Sequence, residues 1–470
     1  MTHPETRPVL WSGDDLRVLL GLEGTDIPDV TGISIDSRTL EPGDLFVALA
    51  GDDARYRGAG GGGRDGHEFL DAAATAGAAA ALVARDRRHG RGSAALAELA
   101  VPDPFDALWI LARAARARMT GPVFAITGSS GKTTAKAMLG AALAALTQAP
   151  HAAAGSFNNH IGVPLSLARM PATASAAVFE VGMNSPGEIA PLSRLIAPDV
   201  ALVLNVLPVH LEGLGSLEAI RREKLSIAAG LGPEGVLVVH EPIDLGDEAV
   251  RGRVVRFGTG AEADVRLSDD GLGMTISLPD GRRLQAPTAA EGPHRRLTAC
   301  AVLAMLWAAD LDVEAALGAV AASPPPPGRG AVRRCGGVRI IDDSYNANPD
   351  SVRHALDGLR EGAARRRFAL LGDMLELGPD ERALHAGLAR ACEGLDGVFC
   401  VGERARALFD ALPESLAAGW WPDCEALAVD MDVLRARLGP QDALLVKASN
   451  RLFWKHGTVA TLCACLEGAR

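Results

Sequence analysis

The stretch "FAITGSSGKTTAKAMLGAAL", residues 124–143, decides the fold of this chain. Its apolar start predicts a buried strand, its small polar residues at 127–131 predict a tight loop, and its alanine-rich end predicts a helix. Glycines in such a loop let backbone N–H groups approach a phosphate, and the helix N-terminus adds partial positive charge. The order of strand, glycine loop, Lys132, Thr133 and helix therefore predicts a phosphate-binding loop in an α/β protein.

The loop is shorter than the commonest form of this motif, which has a glycine five residues before Gly131, where this chain has Ile126. A glycine turn that only caps a helix is the alternative interpretation, and it leaves the Lys-Thr pair unexplained. In the phosphate-binding interpretation, Lys132 reaches the β- and γ-phosphates and the Thr133 hydroxyl binds Mg²⁺. The groups that surround the phosphates are predicted to come from Gly128, Ser129, Ser130, Gly131 and Thr134.

The chain has 470 residues, which is too long for one ordinary core and predicts about three domains. Its formal charge is −11, from 47 basic and 58 acidic residues, which argues against a nucleic-acid partner or an anionic membrane surface. No apolar run reaches membrane-spanning length and the N-terminus is polar, so we expect a cytoplasmic protein with no transmembrane segment. The seven cysteines form no CxxC pair, so we expect thiols in a reducing cytosol.

Changes in the predicted pattern of strands, helices and loops along the sequence indicate the domain boundaries. Residues 1–120 predict a smaller α/β unit that ends with the helix "PFDALWILARAARARM". In residues 121–323, short apolar strands alternate with helices, which indicates a mostly parallel sheet covered on both faces. Residues 264–285 have instead the short strands and tight turns that predict β-hairpins. The linker "SPPPPGRG" at 323–330 leads into a third, Rossmann-like α/β unit, residues 324–470.

Polar side chains follow several of the predicted strands. Glu180 ends the strand in "FEVGMN", and His210 comes shortly after the next strand, so both are expected at the ligand-facing edge of the sheet. Glu180 is compatible with Mg²⁺ binding and also with a purely structural carboxylate. The segment "IIDDSYNANPDS" at 340–351 offers Asp343 for ribose hydroxyls and Asn346 for amide contacts, while a capped turn explains only its end. By its pattern, Lys224 is a solvated helix lysine.

Motifs along essentially the whole chain resemble those of the Mur ligases. "DSRTLEPGDLFVAL" and "DGHEFLDAA" are similar to the family's first domain, "TGSSGKTT", "NNHIGVPLSL", "FEVGMNSPGEIAPL" and "HLEGLGSL" to its central ATPase domain, and "DDSYNANPDS", "LGDMLELG" and "LVKAS" to its third. "SYNANP" and "GMNSPGEIA" resemble the branch that adds D-alanyl-D-alanine, rather than folylpolyglutamate synthases or ligases that add single amino acids. The phosphate loop of this family is short, so Ile126 fits its pattern.

The resemblance implies a cytoplasmic enzyme of peptidoglycan synthesis that uses ATP and Mg²⁺. ATP would phosphorylate the terminal carboxylate of a UDP-N-acetylmuramoyl-tripeptide (UDP-MurNAc-tripeptide). The amine of D-alanyl-D-alanine (D-Ala-D-Ala) would then attack the acyl phosphate and form a peptide bond. Because carboxylate and triphosphate repel each other, cations must neutralise charge during the transfer. Three hinged domains suit a site that closes to exclude water, and we expect a monomer.

The resemblance also implies roles for particular residues. Thr133, Glu180 and His210 match the family's magnesium ligands, and Lys224 matches a lysine that family members carbamylate. The residues implied in catalysis are Lys132, Lys224, His210 and Lys447. Those implied near the nucleotide, beyond the phosphate loop, are Arg329, Asp343, Tyr345 and Asn346. Those implied near the other substrates are Ser37, Arg38, Asn158, Asn159 and Ser449.

The sequence departs from the family pattern in several places. The family has His-Asn-x-x-Asn before the last part of the central domain, and those asparagines meet the adenine. Here residues 294–298 read "HRRLT", so adenine recognition is expected to differ. Ser226 stands where the family has a glutamate, "KASN" replaces the usual Lys-Gly-Ser run, and a glycine-rich loop at 58–63 resembles an insertion.

Two other functions are compatible with parts of this pattern. The first is a related amide ligase with another substrate, which "DSRTLEPGDLFVAL" in the first domain disfavours. The second is a paralogue that binds nucleotide without catalysis, which the lost asparagines permit. Such a paralogue has no need for a complete metal site, so the retained Lys132, Thr133, Glu180, His210 and Lys224 disfavour it.

Lys132→Ala is expected to lower kcat by at least about 100-fold, because the loop lysine neutralises phosphate charge that develops during transfer. The fold should survive, since a loop lysine supports no core. Phosphate release measures turnover, and a circular dichroism melt measures folding. Turnover equal to that of the unsubstituted protein would contradict the assignment of this loop.

Overall fold

The computed structural model describes residues 7–23, 26–50, 64–87, 96–208, 211–246, 250, 252–269, 273–286 and 292–468. Within these ranges the strands form three sheets of four, nine and six strands, and helices alternate with the strands. This is the α/β architecture predicted from the sequence, and each sheet lies within one of the three ranges proposed as domains. The glycine-rich loop at 58–63 lies outside the described residues. No helix in these ranges is long and apolar enough to cross a membrane.

The first unit contains α1 (Gly13–Leu20), β1 (Gly32–Ser34), β2 (Asp44–Val47), α2 (Leu70–Thr75), β3 (Ala80–Ala84), β4 (Ala97–Val101) and α3 (Pro104–Ala117). Its four strands are parallel, in the order β1-β2-β3-β4. The apolar side chains of Ile33, Leu45 and Leu82 are buried and form the core of this sheet. Ser12 begins α1 by accepting a hydrogen bond from the backbone N–H of Asp15.

The central unit contains β5 (Val123–Thr127), α4 (Lys132–Leu146), β6 (Pro150–Ala152), α5 (Gly162–Ala168), β7 (Ala176–Glu180), α6 (Ile189–Ile196), β8 (Val200–Val203), α7 (Leu211–Leu214), α8 (Leu217–Leu225), β9 (Val236–His240), β10 (Arg253–Gly258), β11 (Val265–Asp269), β12 (Met274–Ser277), β13 (Arg283–Ala286), α9 (Pro293–Ala308) and α10 (Val313–Ala322). Its strands lie in the order β13-β12-β11-β10-β9-β8-β5-β7-β6. All neighbouring pairs in the part β11-β10-β9-β8-β5-β7-β6 are parallel. β11, β12 and β13 pair antiparallel, as predicted from the hairpin pattern of residues 264–285. β5 and β7 are buried along their whole length, as expected for strands covered on both faces.

The third unit contains β14 (Ala331–Cys335), β15 (Val338–Asp342), α11 (Pro349–Glu361), β16 (Arg367–Gly372), α12 (Glu381–Ala386), β17 (Gly397–Val401), α13 (Arg406–Ala411), β18 (Ala417–Trp421), α14 (Cys424–Val429), α15 (Met431–Arg437), β19 (Ala443–Lys447) and α16 (Thr458–Leu466). Its strand order is β14-β15-β19-β16-β17-β18. Only the β14–β15 hairpin is antiparallel among these pairs. A π-helix, Asn450–Trp454, follows β19.

Cys335, at the end of β14, and Cys463, in α16, form a disulfide across 128 residues of sequence. The expectation that the cysteines are thiols is therefore wrong for this pair. Spacing along the chain carried no signal, because only the packing of α16 against β14 brings the two residues together. The free cysteines are Cys300, Cys392, Cys400, Cys424 and Cys465, of which the first four are buried.

Trp11 and two arginines fix the first unit to the central one. The indole N–H of Trp11 donates to the carbonyl of Ala168 at 2.9 Å, and the residue is 2% exposed. The Arg118 guanidinium carbon lies 3.9 Å from the centre of the Trp11 ring, a cation–π contact within the first unit, and Arg118 Nη2 donates to the Met170 carbonyl of the central unit at 2.8 Å. Arg169 donates to the carbonyl of Ile33 in β1 at 2.6 Å. The two units therefore share one core and are held in a fixed relation.

Trp11→Ala is expected to destabilise the protein by about 3–5 kcal/mol, because it removes a buried indole, its hydrogen bond and its cation–π contact. Val18→Ala, on the exposed side of α1, is the control and should change stability by less than about 0.5 kcal/mol. Urea unfolding measures both variants. Equal losses of stability would show that Trp11 does not hold the two units together.

Candidate active site

A cavity of about 1450 Å³ lies between the central and third units. The phosphate loop, the end of β7, the start of α9 and the segment after β15 contribute to its lining. The predicted site residues that line it are Ser129, Ser130, Gly131, Lys132, Thr134, Asn158, Asn159, Glu180, Arg329, Asp343, Tyr345, Asn346 and Lys447. The structure therefore brings most of the predicted site into one place, from two different sheets.

The phosphate loop connects β5 to α4, and its two glycines are required by its packing. Gly131 has a φ of 79° and precedes the first residue of α4. A Cβ atom at Gly131 would lie 2.7 Å from Leu204 Cδ2, and one at Gly128 would lie 3.0 Å from Leu204 Cβ. Lys132 Nζ donates to the Gly128 carbonyl at 2.7 Å, so the lysine folds back over its own loop. This close, glycine-lined approach suits a phosphate group.

Asn205 holds the phosphate loop and was not predicted from the sequence. Its Oδ1 accepts hydrogen bonds from the backbone N–H groups of Ser129 at 2.9 Å and Ser130 at 3.0 Å. Ser129 Oγ donates to the Leu207 carbonyl at 3.1 Å. The available signal was that Asn205 follows β8, which pairs with β5, so its place at the same sheet edge could have been inferred.

Glu180 is 1% exposed and lies beside the phosphate loop. Its Oε2 accepts a hydrogen bond from Thr133 Oγ1 at 2.7 Å, and its Oε1 accepts one from Asn158 Nδ2 at 2.8 Å. Thr133 and Glu180 thus present adjacent oxygen atoms, which are the donors that Mg²⁺ prefers, so the pair fits this ion. His210, the third predicted ligand, lies outside the described residues. Within the described ranges, no cluster of three or more His, Cys, Asp or Glu side chains could hold a metal.

Lysines give this region a positive charge. Burial lowers the pKa of Lys132, and the Glu180 carboxylate partly offsets that effect. Lys224, in α8, is 2% exposed, and burial together with the charge of Lys132 holds its pKa well below the ordinary value. The alternative interpretation of Lys224 as a solvated helix lysine is therefore wrong. Cations around a single buried carboxylate suit a site for anionic substrates.

The third unit contributes a buried ion pair to the cavity. Lys447, at the end of β19, is 3% exposed, and its Nζ donates to Asp343 Oδ2 at 2.6 Å and to the Asn346 carbonyl at 2.9 Å. Asp343 was predicted to accept ribose hydroxyls, and in this structure one of its oxygens is bound to Lys447. The ion pair and the carbonyl contact fix the segment after β15 against the end of β19.

Arg329 connects the third unit to the phosphate-loop region. Its Nη2 donates to Ser156 Oγ at 3.1 Å, and its guanidinium carbon lies 4.1 Å from the centre of the Tyr345 ring. Tyr345 in turn packs edge-to-face on Trp454, with ring centres 5.4 Å apart. Ser156 Oγ also lies 3.4 Å from Thr133 Oγ1. Ser156 and Trp454 were not predicted, and they extend this contact from the phosphate loop to the π-helix.

Six predicted residues within the described chain do not line the cavity, namely Gly128, Thr133, Lys224, Ser37, Arg38 and Ser449. Ser37 lies in a turn of the first unit, and Arg38 beside it is exposed and pairs with Asp36, with Nη2 and Oδ2 separated by 2.6 Å. Ser449 is 4% exposed, and its Oγ has no hydrogen-bond partner in the part of the chain that the structure describes. Asn159 does line the cavity, and its Oδ1 accepts the backbone N–H of Gly162 at the start of α5.

The first turn of α9 carries the "HRRLT" departure. Thr298 is 7% exposed, lines the cavity and donates from its Oγ1 to the His294 carbonyl at 2.9 Å. A Cβ atom at Gly131 would lie 3.8 Å from Thr298 Oγ1, so this turn adjoins the phosphate loop. Arg295 instead donates to the Ser323 carbonyl, at the start of the proline linker. Arg295 and Thr298 stand where the family pattern has its two asparagines, and of these two residues Thr298 is the one beside the phosphate loop.

Two family models match the sequence: the Mur ligase middle domain over residues 126–306 and the Mur ligase glutamate ligase domain over residues 328–450. The phosphate loop lies in the first match and the Asp343–Lys447 pair in the second. The chain belongs to the Mur ligase family, which confirms the resemblance drawn from its motifs.

Named relatives place the chain more closely within that family. A Bacillus subtilis protein named UDP-N-acetylmuramoyl-tripeptide–D-alanyl-D-alanine ligase is 34% identical over 384 residues, which cover 80% of this chain and 80% of that protein. A crystal structure of MurF from Acinetobacter baumannii is 29% identical, with a TM-score of 0.80, and covers 96% of this chain and 98% of that chain. The structure of MurF from Thermotoga maritima in complex with ADP is 28% identical, with a TM-score of 0.74, and the match covers 93% of this chain and 98% of that chain.

Thr298→Asn is expected to tighten ADP binding several-fold, because it places an amide beside the phosphate loop where the family reads adenine. Arg295→Asn is the matched control and should leave the affinity within about twofold, since Arg295 contacts the linker carbonyl of Ser323. Isothermal titration calorimetry with ADP measures both variants. Unchanged affinity in Thr298→Asn would show that the base is not read at this turn.

Proposed function

We propose that this chain is an ATP-dependent, ADP-forming ligase that joins D-Ala-D-Ala to UDP-MurNAc-tripeptide and so makes the pentapeptide precursor of peptidoglycan. The observation that carries the proposal is one cavity lined by the phosphate loop, by Glu180, which Thr133 bonds, and by the Asp343–Lys447 pair. Relatives that match most of the chain bear the name of this ligase. We assign UDP-precursor binding to residues 1–120, ATP binding to 121–323 and ligation to 324–470.

In the first step a carboxylate oxygen of the tripeptide attacks the γ-phosphorus of ATP, the bond to the β,γ-bridging oxygen breaks, and ADP leaves. Lys132 is proposed to neutralise charge on the transferred group, because it already lies folded over the loop. The other loop residues proposed to hold the phosphates are Gly128, Ser129, Ser130, Gly131, Thr133 and Thr134. In the second step the amine of D-Ala-D-Ala attacks the acyl carbon, the amine loses a proton, and phosphate leaves.

Thr133, Glu180 and His210 are the residues that would hold Mg²⁺. The ion would supply positive charge against the phosphates as the phosphoryl group is transferred. Glu180 is held for this role by Thr133 and Asn158, so its carboxylate does not have to reorient. Lys224 is proposed to be carbamylated, because burial lowers the pKa of its amine and so favours the neutral form that adds to CO₂. The carbamate would place an anion near the Lys132 ammonium.

The third unit is proposed to hold the rest of the nucleotide and to bring the acceptor to the acyl phosphate. Asp343 and Asn346 are assigned to the ribose region, with Tyr345 and Arg329 beside them near the phosphates. Lys447 is proposed to act near the reacting groups through the ammonium that now bonds Asp343. Ser449, whose buried Oγ lacks a partner within the described chain, is proposed to contact the other substrate.

The first unit is proposed to bind the uridine nucleotide through Ser37 and Arg38. Arg38 is exposed and paired only over a surface salt bridge, so it is available for a phosphate at little cost. Asn158 and Asn159, which line the cavity, are assigned to the peptide end of the same substrate. We propose that the enzyme acts as a monomer in the cytoplasm.

The purified protein with ATP, Mg²⁺, UDP-MurNAc-tripeptide and D-Ala-D-Ala is expected to release phosphate only when both peptide substrates are present. The reason is that the proposed acyl phosphate would react with the D-Ala-D-Ala amine rather than with water, which closure of the site would exclude. A coupled phosphate assay and mass spectrometry of the UDP product measure the reaction. Tripeptides ending in meso-diaminopimelate and in lysine are tested side by side.

Two outcomes would contradict this function. Phosphate release with another amine acceptor and none with D-Ala-D-Ala would point to a related amide ligase. Nucleotide binding without turnover, across ATP, GTP and both tripeptides, would point to a paralogue without catalysis. Lys132→Ala is the negative control in both cases, because it removes the loop cation and leaves the cavity in place.

A further inference from the structure

The chain contains five lysines among its 47 lysine and arginine residues. Four of them, Lys132, Lys136, Lys224 and Lys447, are buried or lie in the cavity lining, and the fifth, Lys455, is exposed. Arginine is used at nearly every other basic position. An ammonium is a compact point charge, whereas a guanidinium is a broad planar group, so the two are not equivalent in an enclosed site. Lysine is thus almost confined to the active-site region, and Lys136 is the only member of this group without a proposed role.

Lys136 lies in α4, one turn after Lys132, and is 5% exposed. Its Nζ donates to the Gly155 carbonyl and lies 3.8 Å from Glu180 Oε2. It therefore approaches the same carboxylate oxygen that accepts the hydrogen bond from Thr133 Oγ1. A single ammonium joins the helix after the loop, the proposed metal-binding carboxylate and the segment that begins at Gly155.

The segment 155–158 is where several parts of the site meet. Ser156 Oγ accepts from Arg329 Nη2 of the third unit at 3.1 Å and lies 3.4 Å from Thr133 Oγ1. Asn158 Nδ2 donates to Glu180 Oε1 at 2.8 Å, and its carbonyl accepts from Gly182 N–H at 2.7 Å. Gly155, which Lys136 holds, has a φ of 53° and makes the turn that directs Ser156 towards Thr133.

A purely structural role explains Lys136 poorly. Burying an ammonium is costly, and a buried ion pair is weak evidence for a contribution to stability. Thr133 Oγ1, which the phosphate loop positions, also bonds Glu180, so the lysine is not the only partner of this carboxylate. A buried cation at this place is therefore better explained by what it orients than by what it stabilises.

We propose that Lys136 is a positioning residue of the phosphoryl-transfer site. Its ammonium holds the 155–158 segment against Glu180, so that Ser156 and Asn158 meet the phosphate loop and Arg329 in a fixed geometry. Lys136 orients the carboxylate that would hold the metal and does not itself touch the reacting atoms. This inference rests on the proposed function where it is tested by turnover. A second test, of Mg²⁺-dependent nucleotide binding, requires only that the protein binds nucleotide.

Lys136→Met is expected to lower kcat by about 100-fold, because small misplacements of a transfer site have effects of this size. The affinity for ADP without metal should stay within about twofold of the unsubstituted protein. The gain in affinity that Mg²⁺ gives to a non-hydrolysable ATP analogue should fall by about tenfold, as for other residues that orient a metal ligand. Titration calorimetry with and without Mg²⁺ measures both affinities, and thermal melting measures folding.

Lys455→Met is the matched control, because it makes the same substitution at an exposed lysine outside the cavity lining, and both quantities should be unchanged. Lys136→Arg keeps the positive charge and should fold. Its kcat should be at least about tenfold lower than that of the unsubstituted protein, because a broad planar guanidinium replaces the compact ammonium. This variant carries the test if Lys136→Met does not fold.

Three results would overturn the proposal. They are a kcat and a Mg²⁺-dependent gain of Lys136→Met within twofold of the unsubstituted protein, a loss of metal-free ADP affinity by a folded Lys136→Met in step with its loss of activity, or native turnover in Lys136→Arg. If the unsubstituted protein does not ligate the tripeptide, the proposed function fails. The Mg²⁺-dependent binding of the analogue still tests Lys136 in that case, so the two failures are distinguishable.

Discussion

The parallel pairing of β5 with β7 and β8 is the constraint on which the rest of the site depends. Ile126 pairs with Glu180, and Thr127 pairs with Val203, so three chain segments leave the sheet at one edge. Alternate side chains of these strands enter cores on opposite faces, with Phe124 in one and Phe179 in the other. A slip of one residue would exchange the two faces and remove the Glu180 carboxylate from the loop. Core packing therefore fixes the geometry of the polar site.

The second half of the site is attached through a single stiff connection. The proline linker leads directly to Arg329, which bonds Ser156 in the central unit and covers Tyr345 in the third. A short linker of consecutive prolines limits the directions in which the third unit moves. Arg329 is thus placed where the two units part, and its contacts are made only when they are close. The approach of the third unit to the central unit therefore also brings the Arg329 contacts of the site together.

Much of the fold and part of the site could be predicted from sequence, for physical reasons. Buried parallel strands and the glycine loop leave local patterns, so the mostly parallel central sheet and the place of Lys132 and Thr133 at the start of a helix could be predicted. Asn205 and Lys136 were missed because their partners lie far away in sequence, and a lone amide or helix lysine has no local signature. The Cys335–Cys463 pairing was missed for the same reason. Burial of Lys224 also depends on tertiary packing that a helical pattern does not reveal.

The near absence of lysine from the outside of this protein has a practical consequence. Primary amines are what acylating dyes, cross-linkers and immobilisation resins react with, and Lys455 is the lysine that such reagents reach most easily. The remaining lysines are screened by the walls of the cavity or by the core. Their slow acylation, followed by peptide mapping, would therefore report on the opening of the cavity rather than on the outer surface.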